Sequence, residues 1–176
     1  MKLLLTTVLI VICYGVSFSQ EETVQHVKKI RGAIMMAQSY IPTAKGGGEN
    51  VYVIPTWAAD LDYFWHKRWS VAIQADIKIL DFEIEHDKII LERNFPITVA
   101  GVLHYHLQHH WSFFTGPGAE LEQSGNIFLF KAGTEYSFEV SETFEVAIVL
   151  AYENRNAIYD GISLGVALNL QLWNKK

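Results

Sequence analysis

Six apolar residues near the end of the chain, Ile162, Leu164, Val166, Leu168, Leu170 and Leu172, occupy every second position, with Ser163, Gly165, Ala167, Asn169 and Gln171 between them. Side chains alternate across a β-strand, so this pattern describes a strand with one apolar and one polar face. The same period recurs through the 176 residues. It predicts eight strands, approximately Lys29–Ile41, Val51–Trp65, Trp69–Glu85, Ile89–Gln108, Trp111–Glu122, Ile127–Val140, Phe144–Asn154 and Gly161–Trp173. No repeat, low-complexity tract or second domain interrupts them.

Alternation does not by itself say which face meets solvent, because a soluble lipocalin-type barrel shows it too. Two features decide. Aromatics on the apolar parity flank the three short polar turns: Trp65 and Trp69, Tyr105 and Trp111, Phe138 and Phe144. Amphipathic rings at one level form an interfacial girdle. The polar parity carries Ala72, Ala100, Gly116, Gly118, Gly133, Ala147, Gly165 and Ala167 among its charges. Small residues suit a narrow lumen, and an eight-stranded interior is just wide enough to be filled by side chains. The expected fold is therefore all-β: an eight-stranded antiparallel up-and-down transmembrane β-barrel with its apolar face outward.

The N-terminus fits that destination. Lys2, the apolar run Leu3–Val16 and Ser17-Phe18-Ser19 have the layout of an export signal, giving a signal peptide over 1–19 and a barrel domain over 20–176. Cys13, the single cysteine, lies inside the signal, so the mature barrel has no disulfide or cysteine metal site. The net charge of -5 argues against nucleic acid, which requires a basic face. No later apolar stretch is long enough for a spanning helix, so insertion must be as a barrel. The alternation of short turns and longer loops places both termini in the periplasm.

The segments Gly116-Pro117-Gly118-Ala119-Glu120-Leu121-Glu122, Ala132-Gly133-Thr134-Glu135-Tyr136-Ser137-Phe138 and Gly161-Ile162-Ser163-Leu164-Gly165-Val166 resemble the small eight-stranded outer-membrane β-barrel family of Gram-negative bacteria. Phe18-Ser19-Gln20 is similar to signal-peptide ends in the Bacteroidetes. The resemblance implies a fold and a location in the cell outer membrane, among outer-membrane lipids and inserted by the barrel-assembly machinery. Members of the family include structural, surface-binding and porin-like barrels and a few lipid-modifying enzymes. Such barrels often finish on an aromatic in phase with the lipid face. Here Trp173 is out of phase with Leu172 by simple alternation.

The lumen-facing parity gathers a polar network: Asp76, Lys78, His104, His106, Glu120, Lys131, Glu135 and Glu153. Lys131 is expected opposite Glu153, with Glu120 diagonal to it. Such a set could be an ion path, but in so narrow a lumen it reads first as a salt-bridged plug. His104 and His106 have chelating spacing without the further ligands of a metal site, so no metal and no cofactor are assigned. His110 and Ser112 have the His-x-Ser spacing of barrel-type lipid A deacylases. They sit at the periplasmic end, away from the outer leaflet, and no catalytic residue is assigned. Above the bilayer, Asp81–Asn94 forms a raised hairpin with Phe82, Ile84, Ile89 and Leu91 on its apolar side and a strand edge open to pairing. The expected role is a monomeric, non-catalytic barrel, structural or binding an external protein or surface through this hairpin. A narrow channel and a lipid-A-modifying enzyme are the alternatives.

Overall fold

Short polar turns join strands whose apolar residues recur every second position, and in the computed structural model these strands pair into a closed ring. The structure describes residues 28–46, 49–50, 53–86, 89–107, 110–123, 125–156 and 158–175. Residues 1–19, assigned to the signal peptide, lie outside this set. Every regular element among the described residues is a strand. Eight form the barrel: β1 (Lys28–Tyr40), β4 (Val53–His66), β5 (Trp69–Lys78), β8 (Ile97–His106), β9 (Trp111–Leu121), β10 (Ile127–Ser141), β11 (Phe144–Arg155) and β12 (Tyr159–Lys175). Their order is β1-β12-β11-β10-β9-β8-β5-β4, and β4 returns to β1 so that no edge remains. All neighbours are antiparallel. The β4–β5, β8–β9 and β10–β11 connections, the start of β1 and the end of β12 mark one end of the barrel, the turn end. The remaining connections form the loop end.

The faces are inverted relative to a water-soluble protein. On β12 the whole row Ile162, Leu164, Val166, Leu168, Leu170 and Leu172 is exposed, while Ser163, Ala167 and Asn169 are buried in the lumen. Ten residues at about 3.4 Å each, on strands tilted about 45°, give a band about 24 Å tall, the height of a hydrocarbon layer facing such barrels. Two hydroxyls on this outer face are satisfied within the wall. Thr115 Oγ1 donates to the Lys131 carbonyl at 3.2 Å and Thr134 Oγ1 to the Ser112 carbonyl at 3.0 Å. That is what a surface without water requires.

A β-bulge resolves the phase of the last aromatic. The β1–β12 register runs Ile30 with Trp173, then Arg31 with Gln171, skipping Leu172. The extra residue turns both Leu172 and Trp173 outward.

Two expected strands are shorter than the alternation suggested. The run Trp69–Glu85 divides into β5 and β6 (Phe82–His86), and Ile89–Gln108 into β7 (Ile89–Arg93) and β8. The first connection, read as a loop, contains β2 (Ala44–Gly46) and β3 (Glu49–Asn50). These four short strands make a second sheet, β3-β2-β6-β7, standing over the loop end as a cap. The expectation of a free-standing hairpin with an outward apolar side is corrected here. Phe82 and Ile84 are 2% and 0% exposed, and Leu91 packs against the same cluster. They pack with Ile41, Ala44, Ile54, Ile127 and Tyr159, because an apolar strand face standing in water lowers its free energy by covering the barrel rim beside it. The Ile89 side chain lies outside the described residues. Of the hairpin's two edges, expected to be open, that of β6 is occupied by β2, whereas β7 is the last strand of the sheet.

Candidate functional site

The lumen is filled in tiers, each built from the inward parity of several strands. At the turn end, Arg31 is the hub. Its Nε and Nη2 donate to Asp62 Oδ2 at 3.1 and 2.9 Å, and its Nη1 donates to Glu135 Oε1 at 2.9 Å. Glu145 lies 3.6 Å from the same guanidinium. Ser137 Oγ and Asn169 Nδ2 also donate to Glu135, at 2.9 and 2.8 Å. Ser70 Oγ donates to Asp62 at 3.3 Å and lies 3.1 Å from His106 Nε2. His104 is buried between His106 and Phe114, with ring centroids 5.9 and 5.1 Å away. Its Nε2 stands 3.7 Å from Asp62, and neither ring nitrogen has a hydrogen-bond partner.

The middle tier is apolar and fine-grained: Ala37, Ala58, Ala72, Ala100, Ala147 and Ala167 surround Met35, Val102 and Phe114. Glycine is required where walls approach most closely. A Cβ on Gly116 would lie 2.0 Å from the Gly101 carbonyl oxygen, and one on Gly165 would lie 2.7 Å from Ala37 Cβ.

The tier nearest the loops is a charge lattice. Lys131 Nζ reaches Asp76 at 3.0 Å and Glu153 at 3.4 Å, and Lys78 Nζ reaches the same two carboxylates at 3.3 and 3.4 Å. Arg155 bridges Glu153 and Glu120, donating from Nε to Glu120 at 2.6 Å. Tyr159 donates to Glu120 at 2.6 Å. Arg93, from the cap, lies 3.5 Å from Glu120 and 3.4 Å from Glu122, and donates to the Gly125 carbonyl at 2.8 Å. Four cations thus face four carboxylates, and each buried charge meets opposite charge, the condition for tolerating it in a low-dielectric interior. The apolar cluster of the cap closes over this lattice.

The expected network therefore falls in two places. Asp76, Lys78, Glu120, Lys131 and Glu153 share the upper lattice, with Lys131 opposite Glu153 as the alternation placed it, whereas Glu120, expected diagonal to Lys131, stands opposite Ile127 because Lys131 pairs with Gly116. His104, His106 and Glu135 belong to the lower cluster. Arg31, Arg155, Tyr159 and Arg93 are the members that alternation alone did not supply. Arg31 sits beside the bulge, where parity breaks. Arg155 and Tyr159 extend β11 and β12 past their expected ends, and Arg93 arrives from the cap. Among the described residues no group of three or more His, Cys, Asp or Glu is placed to hold a metal ion. His110 is exposed and its Nδ1 lies 2.9 Å from the Ser137 carbonyl oxygen, while Ser112 is buried on the lumen face. Among the described residues Ser70 contacts His106, and this serine has no exposed surface.

No family model matches the chain, and no curated protein sequence matches it. Its fold has solved counterparts. The attachment invasion locus protein Ail of Yersinia pestis, in complex with the heparin analogue sucrose octasulfate, superposes with a TM-score of 0.51 at 12% identity, covering 83% of this chain and 98% of that one. The N-terminal β-barrel domain of Pseudomonas aeruginosa OprF superposes with a TM-score of 0.50 at 11% identity, covering 84% of this chain and all of that one. The chain is similar to these barrels in fold: a closed, eight-stranded antiparallel barrel of the outer-membrane kind.

Proposed function

We propose that the chain is a monomeric, non-catalytic barrel of a Gram-negative outer membrane, inserted by the barrel-assembly machinery with its turn end in the periplasm and its cap outside. The observation that carries this reading is the inversion of faces: a continuous apolar wall outside, and inside a lumen occupied by paired charge. An apolar wall of that height is stable only in hydrocarbon. A lumen whose carboxylates and cations neutralise one another provides no carrier path. The role left to the molecule is at its surfaces.

The cap is the part that reaches water, and its apolar face is already spent on the barrel rim. Its outward side carries Asp81, Glu85 and Glu92, with Glu83 half-exposed. Ail was solved with a sulfated polyanion; an acidic cap disfavours such a ligand and favours a cationic protein or surface. The test is refolding into lipid vesicles, followed by capture on polylysine-coated and heparin-coated beads. The intact barrel is expected to prefer polylysine. A barrel with 81–94 replaced by an Asn-Gly turn is expected to lose that preference while keeping heat-dependent gel mobility. Equal capture of both barrels would remove the cap from the proposal. A chain that refolds as a helical or detergent-free soluble monomer would remove the membrane barrel itself.

A further inference from the structure

The cap ends in a strand with one neighbour. In the order β3-β2-β6-β7, β7 (Ile89–Arg93) is the last strand, and among the described residues no strand pairs with its second edge. The register says which backbone groups stand on that edge. His86 pairs with Ile89 across a two-residue connection, so these residues exchange both of their hydrogen bonds, and the pattern repeats at Ile84 with Leu91 and at Phe82 with Arg93. The N–H and C=O groups of Ile89, Leu91 and Arg93 thus face β6, and those of Ile90 and Glu92 face the open side. The other border of β6 keeps the same phase, since β2 meets it with Lys45 opposite Glu83, a residue of the alternate set. Outward backbone groups on a border strand are a template for one more strand. Here β7 has no proline and no register shift against β6, and its outer face shows Ile90, 63% exposed.

Side chains select the partner. The cap segments 44–50 and 81–94 carry six acids, Glu49, Asp81, Glu83, Glu85, Asp87 and Glu92, against Lys45, Lys88 and Arg93. Arg93 is buried in the lattice with Glu120 and Glu122. The two lysines cannot neutralise six carboxylates, so the cap stays acidic whatever local pairs it forms. Across the outer face, Lys45, Glu83 and Glu92 stand in one rank, with Glu92 at its open end. The next place in that rank calls for a cation, because opposite charges on paired strands attract and like charges repel. The next place beside Ile90 calls for a β-branched or aromatic residue. A second copy of the chain would bring a second acidic cap, so charge disfavours it as the occupant.

We propose that the open edge of β7 binds an extended segment of an external protein as an added strand, with a basic residue opposite Glu92 and, two places later, a β-branched residue opposite Ile90. The added strand runs antiparallel, as every other pair of this sheet does. The proposal rests on the acidic, outward-facing cap of the reading above and supplies the contact by which that cap holds a partner.

The test is a titration of the barrel, refolded in lipid nanodiscs, with a short capped peptide of core Arg-Val-Ile, read by amide NMR. The amide resonances of Ile90 and Glu92 are expected to move saturably, and further than that of Leu91. N-methylation of the peptide at its Arg and Ile nitrogens, which face β7, is expected to abolish these shifts. N-methylation at its Val nitrogen, which faces away, is expected to leave them. A Gln-Val-Ile core is expected to bind up to about fivefold more weakly, the scale of one cross-strand ion pair. Ile90→Pro removes an N–H that makes no bond to β6, so this variant is expected to fold, to keep the preference for polylysine and to lose the peptide. Shifts absent from the wild type, or equal for the two methylated peptides, overturn the edge site, as does peptide binding that survives in folded Ile90→Pro. Equal shifts with a peptide copying β7 would make a second copy the occupant and overturn it too. Should Ile90→Pro not fold, the methylated peptides decide on the wild type. A folded wild type with no preference for polylysine would count against the acidic-cap reading, and the methylated peptides would still decide the edge.

Discussion

Two buried residues at the turn end separate what the lumen needs from what it merely contains. Arg31 serves Asp62, Glu135 and Glu145 together, so its removal leaves carboxylates buried against one another. Arg31→Met is expected to lower stability by about 3–5 kcal/mol, the usual result of removing one partner of a buried pair. His104, in the same cluster, makes no hydrogen bond through either ring nitrogen and is held by stacking on Phe114 and His106. His104→Phe keeps the stacking and forfeits no hydrogen bond, so its cost is expected to stay within about 1.5 kcal/mol, as for a volume-conserving apolar swap. Urea titration of refolded barrels in vesicles checks both, and a His104→Phe loss as large as that of Arg31→Met would contradict this ranking. Histidine drew attention in the sequence because its chemistry is versatile, yet arginine organises the site. Composition and parity could not show this, since the value of Arg31 lies in partners on three other strands.

Among the elements, the barrel strands were legible because every one has a lipid face and a lumen face, and a period of two records both. The cap was less so. Phe82, Ile84 and Leu91 alternate with acids as in any amphipathic hairpin, and nothing local says whether the apolar side is open or covered. The answer depends on Ile41, Ile54, Ile127 and Tyr159, which lie on other segments. The same holds for Trp173, whose outward direction comes from a bulge opposite Ile30 and Arg31 that no alternation announces. Because that bulge returns an aromatic to the lipid face at the end of β12, Trp173→Ala is expected to slow assembly several-fold, with little change in the final barrel, since interfacial aromatics act as anchors. Following the appearance of the heat-sensitive gel form over time checks this. Equal rates for the two proteins would mean that Leu172 suffices.

For the molecule as a whole, the filled tiers predict an electrically silent barrel. Planar-bilayer recordings are expected to show no steady conductance, and long-lived discrete openings in the wild type would contradict the plug. The wiring of that plug has a kinetic corollary. The Arg31 bonds to Asp62 and Glu135 span 31 and 104 residues of chain, and Arg31 rides on β1, the strand that meets β12 to seal the ring. Asp62 meets Arg31 across the β1–β4 pair, but until that seam zips Glu135 lacks its guanidinium and must stay hydrated. Ring closure and neutralisation of Glu135 are then a single event, at the end of a search for distant partners that is slow by nature. An incomplete barrel would be a water-lined trench rather than a loosened version of the native protein, so its refolding should pass from open to sealed without a stable, dry halfway form.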